Sequence, residues 1–143
     1  MKPVLIAVAL TGLLLMLAPF VLERFGPSPS TGNQVLPVEQ AFDVRYQLDG
    51  NTLQIDIAIA PDAYLYRHKL SAEGRGVELM AWQAPEGEAH HDEYFGNSQV
   101  YRNGLTLRLP VRDAGPDARI LLGYQGCTTG LCYPPQQVEL VLP

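Results

Sequence analysis

Between residues 42 and 59 apolar and polar side chains alternate with period two. Phe42, Val44, Tyr46 and Leu48 fall on one side, Asp49-Gly50-Asn51 turns the chain, and Leu53, Ile55, Ile57 and Ile59 resume the alternation. A helix cannot gather such a run on one face, because its side chains recur every 3.6 residues, whereas a strand points every second residue the same way. Two runs joined by a glycine-containing turn read as a hairpin. Leu105, Leu107, Leu109 and Val111 repeat the pattern after Asn103-Gly104, as do Val138, Leu140 and Leu142 near the end. Shorter candidate strands lie at 64–70, 77–82, 99–102 and 119–125. Beyond the N-terminal segment no window sustains a helical apolar period, and no internal repeat is present. Seven or eight short strands with turn-rich joints predict an all-β fold, a two-sheet immunoglobulin-like sandwich.

The chain opens MKPVLIAVALTGLLLMLAPFVLER, with Lys2 followed by an unbroken apolar stretch over residues 3–22. That length of about 20 residues matches the hydrocarbon core of a bilayer and exceeds the roughly 7–15 residues of a cleaved signal's apolar region. Residues 1–24 therefore read as a transmembrane anchor in preference to a signal peptide, with Pro19 and the small residues that follow leaving cleavage open. Lys2 held on the inner side puts the remainder on the exported side. Residues 25–34, FGPSPSTGNQ, offer nothing apolar after Phe25 and read as a flexible linker, which leaves 35–143 as one folded domain. Ten basic against 15 acidic residues, a net charge of -5, opposes binding to a phosphate backbone, so nucleic acid is not an expected partner.

Cys127 and Cys132, the chain's two cysteines, stand in GYQGCTTGLCYPPQ with four residues between them. If those four residues close a hairpin, the cysteines form its first cross-strand pair. Opposed residues there lie about 4.5–5.5 Å apart at Cα, within the roughly 4.4–6.8 Å that a disulfide spans. An exported chain can keep such a bond. The plain reading is a structural staple, yet a ring of about six residues stabilises by only about 2 kcal/mol, against nearly 5 kcal/mol for a ring of about 100. A bond across a small exposed hairpin is also open to attack by another thiol. The pair is thus a candidate for thiol–disulfide exchange. It lacks a Cys-x-x-Cys helix N-terminus to depress a thiol pKa, and at about 8.5 only a few per cent of a thiol is ionised at neutral pH. The expectation is a relay whose disulfide is opened by a partner's thiolate.

Five stretches in order, LPVEQAF from Leu36, YLYR from Tyr64, DEYFG from Asp92, VYRNGLTL from Val100 and YQGCTTGLCYPPQ, resemble the N-terminal periplasmic domain of the thiol:disulfide interchange protein DsbD family. The resemblance implies an immunoglobulin-like sandwich in which Cys132 forms mixed disulfides with partners and Cys127 resolves them. It implies a cap loop over 92–96 that lays an aromatic ring, at Tyr94, over the cysteines, with Phe95 beside it. Asp92, Glu93, Tyr64 and Tyr66 would line the site. A carboxylate there would either disfavour the thiolate or, if protonated, shuttle a proton. It further implies a periplasmic protein tethered to the inner membrane by residues 3–22. Its electrons would come from a membrane-embedded thiol donor and pass to thioredoxin-like or disulfide-bearing clients, two per cycle and with no bound cofactor. The family pattern carries five residues between the cysteines where this chain has four. Its best-known members also continue into membrane-embedded and thioredoxin-like domains, so a stand-alone form served by a separate donor is expected.

Two other classes compete. A non-catalytic immunoglobulin-like module would hold a partner and keep the disulfide as a structural bond. A metal site would combine the cysteines with His90 and His91, since thiolate and imidazole suit zinc or copper. Adjacent histidines on a strand point in different directions, however, and no further ligands are evident.

Overall fold

The alternating runs fold as their period dictates. In the computed structural model, which describes residues 35–143, strand β1 (Phe42–Asp49) pairs antiparallel with β2 (Thr52–Ile59) across Gly50-Asn51, and β2 pairs with β8 (Gly104–Arg112). Leu53, Ile55 and Ile57 of β2 and Leu105, Leu107, Leu109 and Val111 of β8 are buried together. Each such side chain contributes about 1.5–3 kcal/mol by leaving water, so the two strands supply much of the core's driving force. The predicted anchor or signal at 1–24 and the linker at 25–34 lie outside the described residues, among which no helix is long and apolar enough to cross a membrane.

The remaining elements are one helical turn, α1 (Val38–Ala41), and the strands β3 (Ala63–Tyr66), β4 (Ser71–Arg75), β5 (Glu78–Leu79), β6 (Glu88–Asp92), β7 (Gly96–Tyr101), β9 (Arg119–Tyr124), β10 (Gly126–Thr128), β11 (Leu131–Cys132) and β12 (Gln136–Val141). Among the described residues the strands form three antiparallel ladders, β1-β2-β8-β5, β12-β9-β4 and β11-β10-β3-β7-β6. Ile120, Leu122 and Leu140 from the second ladder join the β2 and β8 side chains in one core. These ladders enclose the hydrophobic interior of an immunoglobulin-like β-sandwich, and the third carries the cysteines.

Several elements depart from the sequence expectation. Twelve strands are present among the described residues where seven or eight were expected, because short ladders such as β10 with β11 contain too few residues to display a period. The strand expected over 64–70 ends at Tyr66, where Arg67–Lys69 forms a 3-10 turn closed by the Leu70 amide on the Arg67 carbonyl. The strand expected over 77–82 contracts to Glu78–Leu79. β6, with sequence EAHHD, has no apolar alternation and forms because β7 offers it a free hydrogen-bonding edge, in register His90↔Ser98 and Asp92↔Gly96.

β3 determines where the site lies. All four of its residues are buried, Ala63 and Leu65 in the main core and Tyr64 and Tyr66 in a second cluster with Val100 and Cys127. A strand covered on both faces serves the core with one set of alternate residues and the site with the other.

Candidate functional site

Cys127 and Cys132 face each other across the β10–β11 hairpin and are joined by a disulfide, with Cα atoms 3.9 Å apart, slightly closer than the ladder spacing anticipated. The pairing runs one rung further than expected: Thr128 opposes Leu131, so the loop is the two-residue turn Thr129-Gly130 and the cysteines are the second pair from it. Gly130 adopts a φ of 81°, a conformation that side chains with a Cβ disfavour. On its other side β10 pairs with β3 in register Cys127↔Tyr64. Cys127 is thus sandwiched between two strands and fully buried, whereas Cys132, on the ladder's edge strand, is half-buried.

Gly126 permits this arrangement. A Cβ at that position would sit 2.5 Å from the Tyr64 carbonyl oxygen and closer still to Phe42 Cζ, so only glycine lets β10 approach β3 over the Phe42 ring. Downstream, the buried Tyr133 anchors the hairpin's exit by donating its hydroxyl to the Leu36 carbonyl at 2.7 Å and meeting Phe42 edge-on at 5.6 Å.

Above the disulfide lies a polar network centred on Asp92. The Tyr66 hydroxyl oxygen is 3.2 Å from Cys127 Sγ and 3.9 Å from Cys132 Sγ. Its single proton is donated to Asp92 Oδ2, which also accepts the Tyr64 hydroxyl at 3.0 Å and faces His90 Nε2 at 3.1 Å. The other oxygen, Oδ1, accepts the backbone amides of Tyr94 at 3.0 Å and Phe95 at 2.9 Å. Burial acts to raise the Asp92 carboxyl, but the hydrogen bonds from Tyr66, the Phe95 amide, Tyr64 and the Tyr94 amide together outweigh it and hold the group well below the usual carboxylate range. Burial, followed by the bond to Asp92, pushes the Tyr66 phenol far above its ordinary value, and burial is likewise the main cause that raises Tyr64. Asp92 is therefore ionised at neutral pH: it accepts the hydrogen bond of Tyr66 and holds no proton to give.

The ring that packs toward this network is that of Phe95. It meets Tyr66 edge-on at 4.7 Å and His68 at 5.2 Å, and Lys69 Nζ lies 4.5 Å from its centre. Tyr94, the ring expected over the cysteines, is 45% exposed and takes part in no aromatic pair among the described residues. Glu93 is exposed. The structure thus brings Tyr64, Tyr66, Asp92, Phe95, Cys127 and Cys132 together and leaves Glu93 and the Tyr94 ring at the surface.

The two histidines diverge as neighbours on a strand must: His90 turns to Asp92, while His91 Nδ1 meets Asn97 Oδ1 at 2.9 Å on the other face of β6. No group of three or more potential metal ligands occurs among the described residues. The sequence pattern marks His90 only as a possible metal ligand and does not mark Arg102. The i, i+2 spacing of His90 and Asp92 on one strand face was the signal that connects them.

Fold and site define an immunoglobulin-like domain that carries a disulfide-bonded cysteine pair on an edge hairpin, beside a tyrosine–aspartate network. The family described as "Thiol:disulfide interchange protein DsbD, N-terminal" matches residues 32–142. The chain belongs to that family. It is 45% identical over 122 residues to thiol:disulfide interchange protein DsbD 2 of Pseudomonas aeruginosa, covering 84% of this chain and 20% of that one. With DsbD of Pectobacterium atrosepticum it shares 42% identity over 108 residues, covering 75% and 19%. The chain spans about a fifth of the length of these relatives. Among solved structures, the DsbD N-terminal domain of Neisseria meningitidis in the reduced form superposes with a TM-score of 0.69 at 29% identity, covering 78% of this chain and 92% of that one. The same organism's DsbD N-terminal domain in complex with the PilB N-terminal domain gives a TM-score of 0.66 at 28% identity, covering 77% and 88%.

Proposed function

We propose that this chain is a periplasmic thiol–disulfide interchange domain that relays reducing equivalents through Cys127 and Cys132. The observation that carries the reading is the unequal burial of the pair: Cys132 is half-buried on an edge strand and Cys127 is fully enclosed beneath Tyr66. An incoming sulfur reaches the more exposed cysteine first, which makes Cys132 the exchanging and Cys127 the resolving sulfur.

In the forward half-cycle the Cys132 thiolate attacks a client disulfide, forming a mixed disulfide and releasing one client thiolate, which takes up a proton. Cys127 then gives up its proton and attacks Cys132 Sγ. The second client thiolate leaves, the client has gained two electrons, and Cys127–Cys132 is oxidised. In the return half-cycle a donor thiolate attacks Cys132 Sγ and expels Cys127 as a thiolate, and the donor's second thiol then displaces Cys132, so that the donor leaves as its own disulfide and both cysteines are reduced. The expelled Cys127 sulfur is buried and near an ionised carboxylate, both of which disfavour its charge. The Tyr66 hydroxyl, 3.2 Å away, is placed to turn toward this sulfur and hydrogen-bond it, with Asp92 steadying the phenol, while the proton the sulfur takes up comes from the donor's second thiol.

The donor in this reading is a membrane-embedded thiol carrier, and the clients are thioredoxin-like or disulfide-bearing periplasmic proteins. The Neisseria complex supports a thiol-exchange partner docking at this kind of domain, and residues 3–22 would hold the chain at the inner membrane. The reading requires no bound cofactor. Phe95, with Tyr94 outside it, would serve as the cap over the pair. Thiol trapping in cells tests the order of attack. Cys127→Ser should accumulate mixed disulfides through Cys132 and Cys132→Ser should not. Absence of adducts with both variants would leave a partner-binding module with a structural disulfide.

A further inference from the structure

We infer that His90 is a positioning residue of the exchange site, acting through Asp92 with Arg102 behind it; this rests on the reading of Cys127–Cys132 as a capped, exchanging pair. Arg102, just beyond the end of β7, reaches His90, with Nη2 3.4 Å from His90 Nδ1. A guanidinium only donates, so Nδ1 accepts, and the neutral ring carries its one proton on Nε2. Nε2 is 3.1 Å from Asp92 Oδ2. Arg102 thereby selects the tautomer that turns His90 into a donor to the carboxylate.

The surroundings hold the three residues in line. Arg102 Nε lies 3.4 Å from Glu88 Oε1, its guanidinium carbon is 4.9 Å from the centre of the Tyr64 ring, and the His90 ring packs on the same tyrosine at 4.5 Å. The side chains of His90 and Asp92 are 18% and 11% exposed, so water competes weakly for their bond. The groups facing His90 are Asp92 from its own strand, Arg102 from the end of β7 and Tyr64 from β3.

What His90 fixes is the rotation of one carboxylate with two duties. Oδ1 binds the cap through the Tyr94 and Phe95 amides, and Oδ2 binds the Tyr66 hydroxyl that touches both sulfurs. Turning the carboxylate would disturb the cap and the cysteine environment together. With His90 donating to Oδ2 alongside Tyr64 and Tyr66, both faces stay engaged.

The test uses the full chain and no protein partner, so it fails independently of the trapping experiment. In the unaltered protein, long-range nitrogen–proton spectra should place the ring proton of His90 on Nε2; a proton on Nδ1 overturns the proposal without any variant. His90→Leu should make the Tyr94 and Phe95 amides exchange with solvent about tenfold faster, the size of one hydrogen bond to a charged group, while amides of β2 and β8 keep their rates. Reduction of Cys127–Cys132 by the uncharged reagent tris(hydroxypropyl)phosphine should accelerate in parallel. His90→Gln, which restores a side-chain N–H, should return both rates to within about twofold of the unaltered protein. In an Asp92→Asn background, substitution of His90 should add nothing. Unchanged cap amides in His90→Leu, a Gln variant that behaves like Leu, or full additivity with Asp92→Asn would each overturn the assignment.

Discussion

The Tyr66 hydroxyl donates its hydrogen bond to Asp92 while its oxygen rests against Cys127 Sγ at 3.2 Å, so the carboxylate that binds the Tyr94 and Phe95 amides also binds the group nearest the buried sulfur. One aspartate therefore connects a surface loop to the disulfide. That connection exists because β6, carrying Asp92, and β10, carrying Cys127, lie on opposite sides of the two strands β3 and β7.

Tyr66→Phe removes the hydroxyl and leaves the packing almost intact. Reduction of the disulfide by a dithiol should slow about tenfold, since the departing Cys127 thiolate loses the hydroxyl nearest to it as a hydrogen-bond donor. Tyr64→Phe removes a hydroxyl that binds Asp92 and should cost less. Stopped-flow reduction of the two variants at neutral pH measures the difference.

Asp92→Asn should destabilise the domain by about 1–3 kcal/mol at pH 7, the range for hydrogen bonds to a buried charge. The sign follows from the depressed carboxyl: a group with a lower pKa in the folded state contributes stability above its unfolded value of about 4 and loses it as pH falls toward the folded value. The gap between the original protein and the variant should therefore be constant from pH 7 to about pH 5 and narrow below about pH 4. Urea denaturation across that range reads it.

Breaking the Cys127–Cys132 bond should lower stability by only about 2 kcal/mol, because the ring it closes is small and the chain-entropy gain is correspondingly slight. Denaturation of the oxidised and reduced protein in urea compares the two states directly. A loss of 4 kcal/mol or more would assign the bond a structural purpose.

Gly126→Ala should destabilise by about 1–3 kcal/mol, since the added methyl meets the Phe42 ring and the Tyr64 carbonyl in a packed interior. Its effect should extend to the chemistry, because any shift of β10 moves Cys127 away from Tyr66. Equilibrium denaturation gives the first quantity and the rate of disulfide reduction the second.

Phe95→Ala strips the contacts to Tyr66, His68 and Lys69 and should raise the rate at which a small reductant attacks the disulfide by about three- to tenfold. Tyr94→Ala should change that rate less, its ring being 45% exposed and outside the aromatic contacts that Phe95 makes with Tyr66 and His68. The order of these two effects, measured under pseudo-first-order conditions, identifies which ring shields the pair.

Much of the architecture follows from the sequence because period-two alternation is a local property. The faces of β2 and β8 are written in consecutive residues, and the Cys127–Cys132 pairing needs only a hairpin and a span short enough for a disulfide. β6 and α1 escaped because EAHHD and VEQA contain no period. One is a strand only because β7 offers an edge, and the other is a single turn.

The site divides along the same line. The sequence by itself determined the redox-capable pair, the alternation that puts Tyr64 and Tyr66 on one face of a strand, and the turn residues of DEYFG, since each depends on neighbours a few positions apart. Only the tertiary structure decided that Cys127 is enclosed and Cys132 half-exposed, that Phe95 rather than Tyr94 packs on Tyr66, and that Arg102 turns His90 toward Asp92. Tyr66 and Asp92 are 26 residues apart in the chain, and Tyr66 and Cys132 are 66 apart. Contacts across such separations follow from strand order and from which edge each strand finds, and these are set by the packing of the whole domain.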